Sequence, residues 1–244
     1  MNSSIEIKQL TKQYGAKVAV DRITINIADG ELFALLGMNG AGKTTLINML
    51  STITQPTSGD ALLNGKSIVT EADQVKKFIA VSPQETAIAP NLTVRENLEL
   101  MAGLYGFDKQ TVKQKTDQMI QRFSLQPYEK SKSKTLSGGW KRKLSIAMAL
   151  ISDPKILFLD EPTLGLDVLA RRELWAVIEK LKEKTTIILT THYLEEAESL
   201  SDRICIMQDG RIKAIGTVSQ LNEQAGTSKF EDTFIKLVED GGQQ

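Results

Sequence analysis

The segment GMNGAGKTT, Gly37 to Thr45, follows the apolar run ELFAL and opens a helical pattern. It satisfies G-x-x-x-x-G-K-[ST] in the strand–loop–helix setting that this spacing requires. The chemistry it offers is phosphate binding. Gly37, Gly40 and Gly42 let the backbone wrap closely enough for N–H groups to cradle phosphates, helped by the positive end of the following helix. Lys43 places a point charge on the β- and γ-phosphates, and Thr44 offers a hydroxyl to Mg²⁺. Asn39, Ala41 and Thr45 complete the expected nucleotide contacts. A second motif, ILFLDE, supplies carboxylates: four apolar residues form a buried strand, and Asp160 and Glu161 emerge at its C-terminal end. Strand ends of that kind are where α/β sheets bind ligands. Asp160 is placed to hold Mg²⁺ through its water shell, and Glu161 to orient or deprotonate an attacking water. A helix N-cap would account for one acid there better than for two.

A third segment, TLSGGWKRKLSIAMAL, poses a question. Leu144, Ala147, Met148 and Ile151 form one apolar helical face. Helix starts favour acids, yet Lys141, Arg142 and Lys143 follow the flexible Gly138–Gly139 pair. Either an anion from elsewhere is met here, or the three cations are a solvated face.

The elements that must position these residues read as an α/β chain. Ile5 and Ile7, Val18 and Val20, and Ile23, Ile25 and Ile27 mark half-buried strands, and Asp29–Gly30 turns the chain into the ELFALLG strand. Leu46, Met49, Leu50 and Ile53 stripe the next helix, Asn64–Gly65 marks a hairpin, and FIAVS is another buried strand. From Thr93 to about residue 151 the pattern is helical, opened by a Thr93/Glu96 capping box, with PYEKSKSK as a loop. Strands KILFLD, TTIILTT, RICIMQ and RIKAIG resume the α/β rhythm. The tail presents Phe230, Phe234, Leu237 and Val238 on one side, suited to docking on the body. A parallel sheet interrupted by a helical insertion fits this order.

Composition narrows the classes. Thirty basic residues balance thirty acidic ones, which argues against a large basic nucleic-acid footprint. The single cysteine, Cys205, allows no intrachain disulfide, so a cytosolic setting is expected. No apolar run approaches a membrane span and MNSSIEIKQL lacks a signal peptide's apolar core, so any membrane role is expected to be peripheral. No Asn-Lys-x-Asp occurs, which disfavours a GTPase.

Over nearly its whole length the chain resembles the ATP-binding cassette (ABC) ATPases. Leu136–Gly139, LSGG, resembles that family's signature motif and precedes the ILFLDE strand as it does there. The resemblance implies further roles. Tyr14 matches the aromatic that stacks on adenine, and Gln84 the Q-loop glutamine that touches Mg²⁺ and the attacking water. Asp167, in Gly165–Leu166–Asp167, matches the D-loop, and His192 the switch histidine at the γ-phosphate. In the family two cassettes pair head to tail. Ser137, Gly138 and Gly139 would then face the partner's γ-phosphate, Ser137 through its hydroxyl and Gly139 through its N–H.

The implied fold is α/β: a P-loop NTPase (RecA-like) core with an N-terminal antiparallel β subdomain and an inserted α-helical subdomain. Residues of about 1–84 and 153–226 would form the ATP-binding core with its β subdomain. About 85–152 would be the helical subdomain and about 227–244 a tail helix. ATP and Mg²⁺ are the implied ligands. Separate transmembrane permease subunits and a second cassette are the implied partners, a homodimer being expected and a heterodimer left open. GLDVLARRELW and the ending FEDTFIKLVED look like bacterial ABC-2 type exporters, with the chain on the inner face of the cell membrane. One position departs: Trp140 stands where the family's signature usually has Gln, and it would either tune dimer closure or pack within its own subdomain. Two rivals remain: a soluble ABC ATPase serving ribosomes or DNA, and a non-hydrolysing nucleotide-binding regulator.

Overall fold

In the computed structural model, which describes residues 3–182 and 184–239, the alternating isoleucines build the expected antiparallel pair. β1 (Ser3–Tyr14) lies against β2 (Lys17–Ala28), with Ile5, Ile7, Ile23, Ile25 and Ile27 all buried. The chain continues through β3 (Leu32–Leu36), α1 (Lys43–Leu50), β4 (Ser58–Leu63), β5 (Lys66–Ser67), α2 (Ala72–Val75) and β6 (Ile79–Ser82). The helical stretch follows as α3 (Val94–Leu104), α4 (Lys109–Arg122) and α5 (Gly138–Ala149). Next come β7 (Ile156–Asp160), α6 (Val168–Glu179), β8 (Thr186–Thr191) and α7 (Leu194–Leu200). The last elements are β9 (Arg203–Gln208), β10 (Arg211–Gly216), α8 (Val218–Ala225) and α9 (Phe230–Glu239).

Two sheets result. The smaller has strand order β2-β1-β4-β5 and is antiparallel. The larger runs β10-β9-β3-β8-β7-β6, parallel except for β10, which returns against β9. Every residue of β3, β7 and β8 is buried, as continuous apolar runs flanked on both faces demand. Register then decides what their ends can do. Leu36 pairs with Thr191, and Asp160 with Thr190, so the three central strands finish level with one another. The residues that follow, Gly37, Glu161 and His192, emerge together at one sheet edge.

The capping box at α3 forms as expected, Thr93 and Glu96 each bonding the other's backbone N–H. One local expectation fails. The α1 stripe ends early: Ser51 Oγ bonds back to the Ile47 carbonyl, Thr52 takes φ 61°, and Ile53 is left 65% exposed. A hydroxyl competing for backbone carbonyls ends the helix before the fourth apolar position. PYEKSKSK is a loop as expected, its ends falling in 3₁₀ turns at Gln126–Tyr128 and Ser133–Thr135. Buried Asn97 organises this region, donating to Ser133 Oγ at 2.8 Å and accepting from Ala89 N at 2.8 Å. Phe230 of α9 is buried, with Phe234, Leu237 and Val238 packed beside it on a cluster that includes Leu36 and Ile206. Residues 240–244 of the expected tail lie outside the described residues. Among the described residues no helix is long and apolar enough to cross a membrane.

Candidate active site

The loop between β3 and α1 depends on two glycines. A Cβ on Gly37 would come 2.4 Å from the Met207 carbonyl oxygen, and one on Gly42 2.5 Å from that of Ala19. Gly42 also sits at φ 101° as the N-cap of α1, a conformation that only glycine adopts without strain. Lys43, 5% exposed, folds back over this loop. Its Nζ donates to the carbonyls of Gly37 at 2.6 Å and Met38 at 3.3 Å, and lies 3.5 Å from Glu161 Oε1.

The two carboxylates at the end of β7 divide their partners. Asp160 Oδ1 accepts from Thr44 Oγ1 at 3.2 Å and from Thr190 Oγ1 at 2.5 Å. Glu161 turns the other way, its Oε2 2.7 Å from His192 Nδ1. Glu161 is buried and holds φ 48°, with its N–H fixed by Thr190 Oγ1 at 3.0 Å. Positive φ in a non-glycine residue persists only where surrounding bonds determine it, and such strain gathers at functional sites. Glu196 lies beneath, fully buried, and accepts from Trp175 Nε1 at 3.1 Å. Burial pushes its carboxyl above the usual carboxylate range, while Thr191, Thr163 and Trp175 oppose the shift.

A cavity of about 120 Å³ gathers Lys43, Thr44, Gln84, Glu161 and His192, with Asn39, Gly40, Ala41 and Leu164 on its wall. Most of the expected active-site residues therefore meet. Three groups stand apart. Tyr14 is 50% exposed at the end of β1, with Lys12 Nζ 5.0 Å from its ring centre. Thr45 is half-buried in α1 and does not line the cavity. Ser137, Gly139 and Asp167 line a different cavity, of about 280 Å³, together with Trp140 and Leu169. Gly138 is exposed at the same helix start.

The three cations behind Gly139 do not behave as one group. Lys141 is half-buried. Lys143 pairs with Glu173 at 2.7 Å and lies 4.4 Å from the Trp140 ring centre. Arg142 points inward to backbone carbonyls of Pro83, Gln84 and Glu161. For these two, neither a solvated face nor a direct meeting with an outside anion is correct, because partners within the chain already hold them. Trp140 packs on Tyr128, ring centres 4.7 Å apart, which is the within-subdomain alternative. Sequence reasoning missed Thr190, Glu196 and the inward turn of Arg142. A signal for Arg142 existed: it shares a helical face with Ser145, Ile146 and Ala149, all of which are buried.

A glycine loop between a buried parallel strand and a helix, with a carboxylate-ended strand one place further along the sheet beyond β8, defines a P-loop nucleoside triphosphatase. The ABC transporter family pattern matches residues 20–164. The doxorubicin resistance ATP-binding protein DrrA of Mycobacterium tuberculosis is 38% identical over 238 residues, covering 96% of this chain and 70% of that protein. A solved ATP-binding subunit of an ABC transporter superposes with TM-score 0.86 at 30% identity, covering 97% of this chain and all of that one. The ATP-binding cassette MJ0796, solved as a post-hydrolysis dimer bound to ADP and Pi, shares the fold at TM-score 0.79 and 24% identity, over 87% of this chain and 98% of its own. The chain belongs to the ABC transporter family. It spans 14% of the length of the phospholipid-transporting ATPase ABCA3 of rat, human and mouse, and 4% of that of the human ATP-binding cassette sub-family A member 13.

Proposed function

We propose that this chain drives an ABC-2 type exporter, hydrolysing ATP in two sites that it shares head to tail with a second cassette while separate permease subunits supply the membrane path. One observation carries this reading: the residues suited to phosphate chemistry divide into a lysine–glutamate–histidine cavity and a separate, exposed signature turn. In this reading the first holds the nucleotide, and the second offers its hydroxyl and N–H donors to the nucleotide of the other cassette.

In this reading Tyr14 stacks on adenine, and the backbone of Gly37–Gly42 with Lys43 holds the β- and γ-phosphates. Thr44 and Asp160 suit Mg²⁺, since a hydroxyl and a carboxylate 3.2 Å apart are a hard-oxygen pair of the kind that ion takes together with substrate phosphates. Gln84 adds a further oxygen there. When bound, the ion neutralises charge on the β- and γ-phosphates. Glu161 accepts a proton from the attacking water, and His192, already bonded to it, orients the pair toward the γ-phosphate. Ser137, Gly138 and Gly139 of the second cassette meet the same phosphate with a hydroxyl, N–H groups and a helix start, while Asp167 lies at the seam. The two cassettes are copies of this chain, the complex lies on the inner face of the cell membrane, and no nucleic acid takes part.

The test is turnover against chain concentration. ATPase activity per chain should rise steeply as the chain, or its permease complex, is taken from dilute monomer to assembled dimer. A strictly monomeric preparation working at the full rate overturns the shared site, and stimulation by RNA or DNA instead of by permease overturns the exporter assignment.

A further inference from the structure

Arg142 is 4% exposed, and it neutralises no carboxylate by direct contact among the described residues. Nη1 donates to the Pro83 carbonyl at 2.6 Å, and Nη2 to the carbonyls of Gln84 at 2.6 Å and Glu161 at 3.3 Å. Burial draws the guanidinium down from its ordinary value, and the charges of Asp160 and Glu196 work against that shift. A planar fork with five donors can grip carbonyls from two loops at once; a lysine ammonium, a single point on a flexible stem, cannot hold the same spread.

The gripped carbonyls belong to the two residues that the mechanism uses on this chain's own nucleotide, Gln84 and Glu161, and to the proline before the first. Glu161 keeps its φ of 48° with its N–H tied to Thr190 and its carbonyl taking bonds from Arg142 and from Leu164 N at 3.2 Å. Arg142 also lies little more than one turn along α5 from Ser137, the residue that would face the other cassette's nucleotide. A helix is stiff over one turn, so movement of its start moves this guanidinium.

We propose that Arg142 is a positioning residue that couples the signature turn to Gln84 and Glu161 of the same chain, so that closure over one nucleotide sets the geometry of the other site. This rests on the paired-cassette reading. Lys143, the next residue, anchors the same helix to α6 through Glu173 but touches neither loop, which makes it the natural control.

The experiment measures ATP hydrolysis by the assembled complex as a function of ATP concentration, with equilibrium binding of a fluorescent ATP analogue, for wild type, Arg142→Lys and Lys143→Met. Two coupled sites allow a Hill coefficient of up to about 2. Arg142→Lys should lower kcat on the order of 10- to 100-fold, as a small misplacement of reacting groups does, while analogue affinity changes by less than about threefold. Its Hill coefficient should fall to about 1. Lys143→Met should lose thermal stability and keep its cooperativity. Cooperative wild type with an equally cooperative, equally fast Arg142→Lys overturns the coupling alone. Wild type that hydrolyses ATP with no cooperativity also overturns the coupling, whereas full-rate turnover by a strictly monomeric preparation overturns the paired reading and the coupling with it. If Arg142→Lys does not fold, the Glu161→Gln chain decides by hydrogen exchange. On ATP addition, protection of residues 84–87 and of 137–143 must change together, and a change in one segment alone overturns the proposal.

Discussion

Two glycine-bearing helix starts, at α1 and at α5, look alike on paper and differ in what satisfies them. At α1 the glycines are demanded by the chain's own fold: carbonyls of Met207 and Ala19 occupy the space that side chains would need. The lysine that follows is buried and bonded to the loop's own oxygens. At α5, a Cβ on Gly138 would meet nothing nearer than Leu166 at 3.9 Å, and Ser137, at the N-cap position, makes no side-chain cap bond. An N-cap serine normally closes its own helix. Here the hydroxyl is left exposed and the glycine has no internal reason. The first start is finished by the chain that carries it; in the proposed reading the second is finished by the other cassette.

This contrast makes predictions of decreasing size. Glu161→Gln removes the proposed base beside the first start without touching the loop. Turnover should fall on the order of 10²- to 10⁴-fold with ATP binding retained, as read by phosphate release and nucleotide binding. Ser137→Ala removes one donor at the second start, and turnover should fall on the order of 10- to 100-fold with melting temperature unchanged. Gly138→Ala is the sharpest break. Its own fold tolerates the methyl group, so stability should hold or rise by up to about 1 kcal/mol while assembled turnover drops. Full activity in that variant would mean the second start meets nothing.

Trp140→Gln tests the alternative that the ring works across a seam. Its contacts to Tyr128 and Lys143 predict a stability loss of about 0.5–1.5 kcal/mol in thermal or urea unfolding, with turnover within about threefold of wild type. Glu196→Gln should have the smallest effect. A carboxyl held above 4.5 stabilises the fold at low pH, and that contribution is lost as pH rises through its folded value. The glutamine chain should therefore gain on wild type in melting temperature as pH increases from about 5 to about 8.

The first start was legible in the sequence because its chemistry is contiguous: loop, lysine and threonine are neighbours, and the carboxylates end an unmistakable apolar strand. The parallel sheet was legible for the same reason, since β3, β7 and β8 are uninterrupted buried runs. What escaped depends on distant backbone. Arg142 binds carbonyls 59, 58 and 19 residues away, and carbonyls carry no residue identity for a pattern to register. Thr190 bonds Asp160 through strand register, which no local motif encodes. The early end of α1 turned on one serine bonding backward, a competition that an apolar stripe does not report.

The two tryptophans of the chain, Trp140 and Trp175, both pack against the same hydrophobic cluster, one beside the signature turn and the other bonded to Glu196. The small antiparallel sheet contains neither. Tryptophan emission from the unlabelled chain, excited beyond the tyrosine absorption band, is thus an optical gauge of the α5–α6 half alone. Nucleotide addition can be followed in that half without attaching a dye, and changes confined to β1 and β2 will be dark.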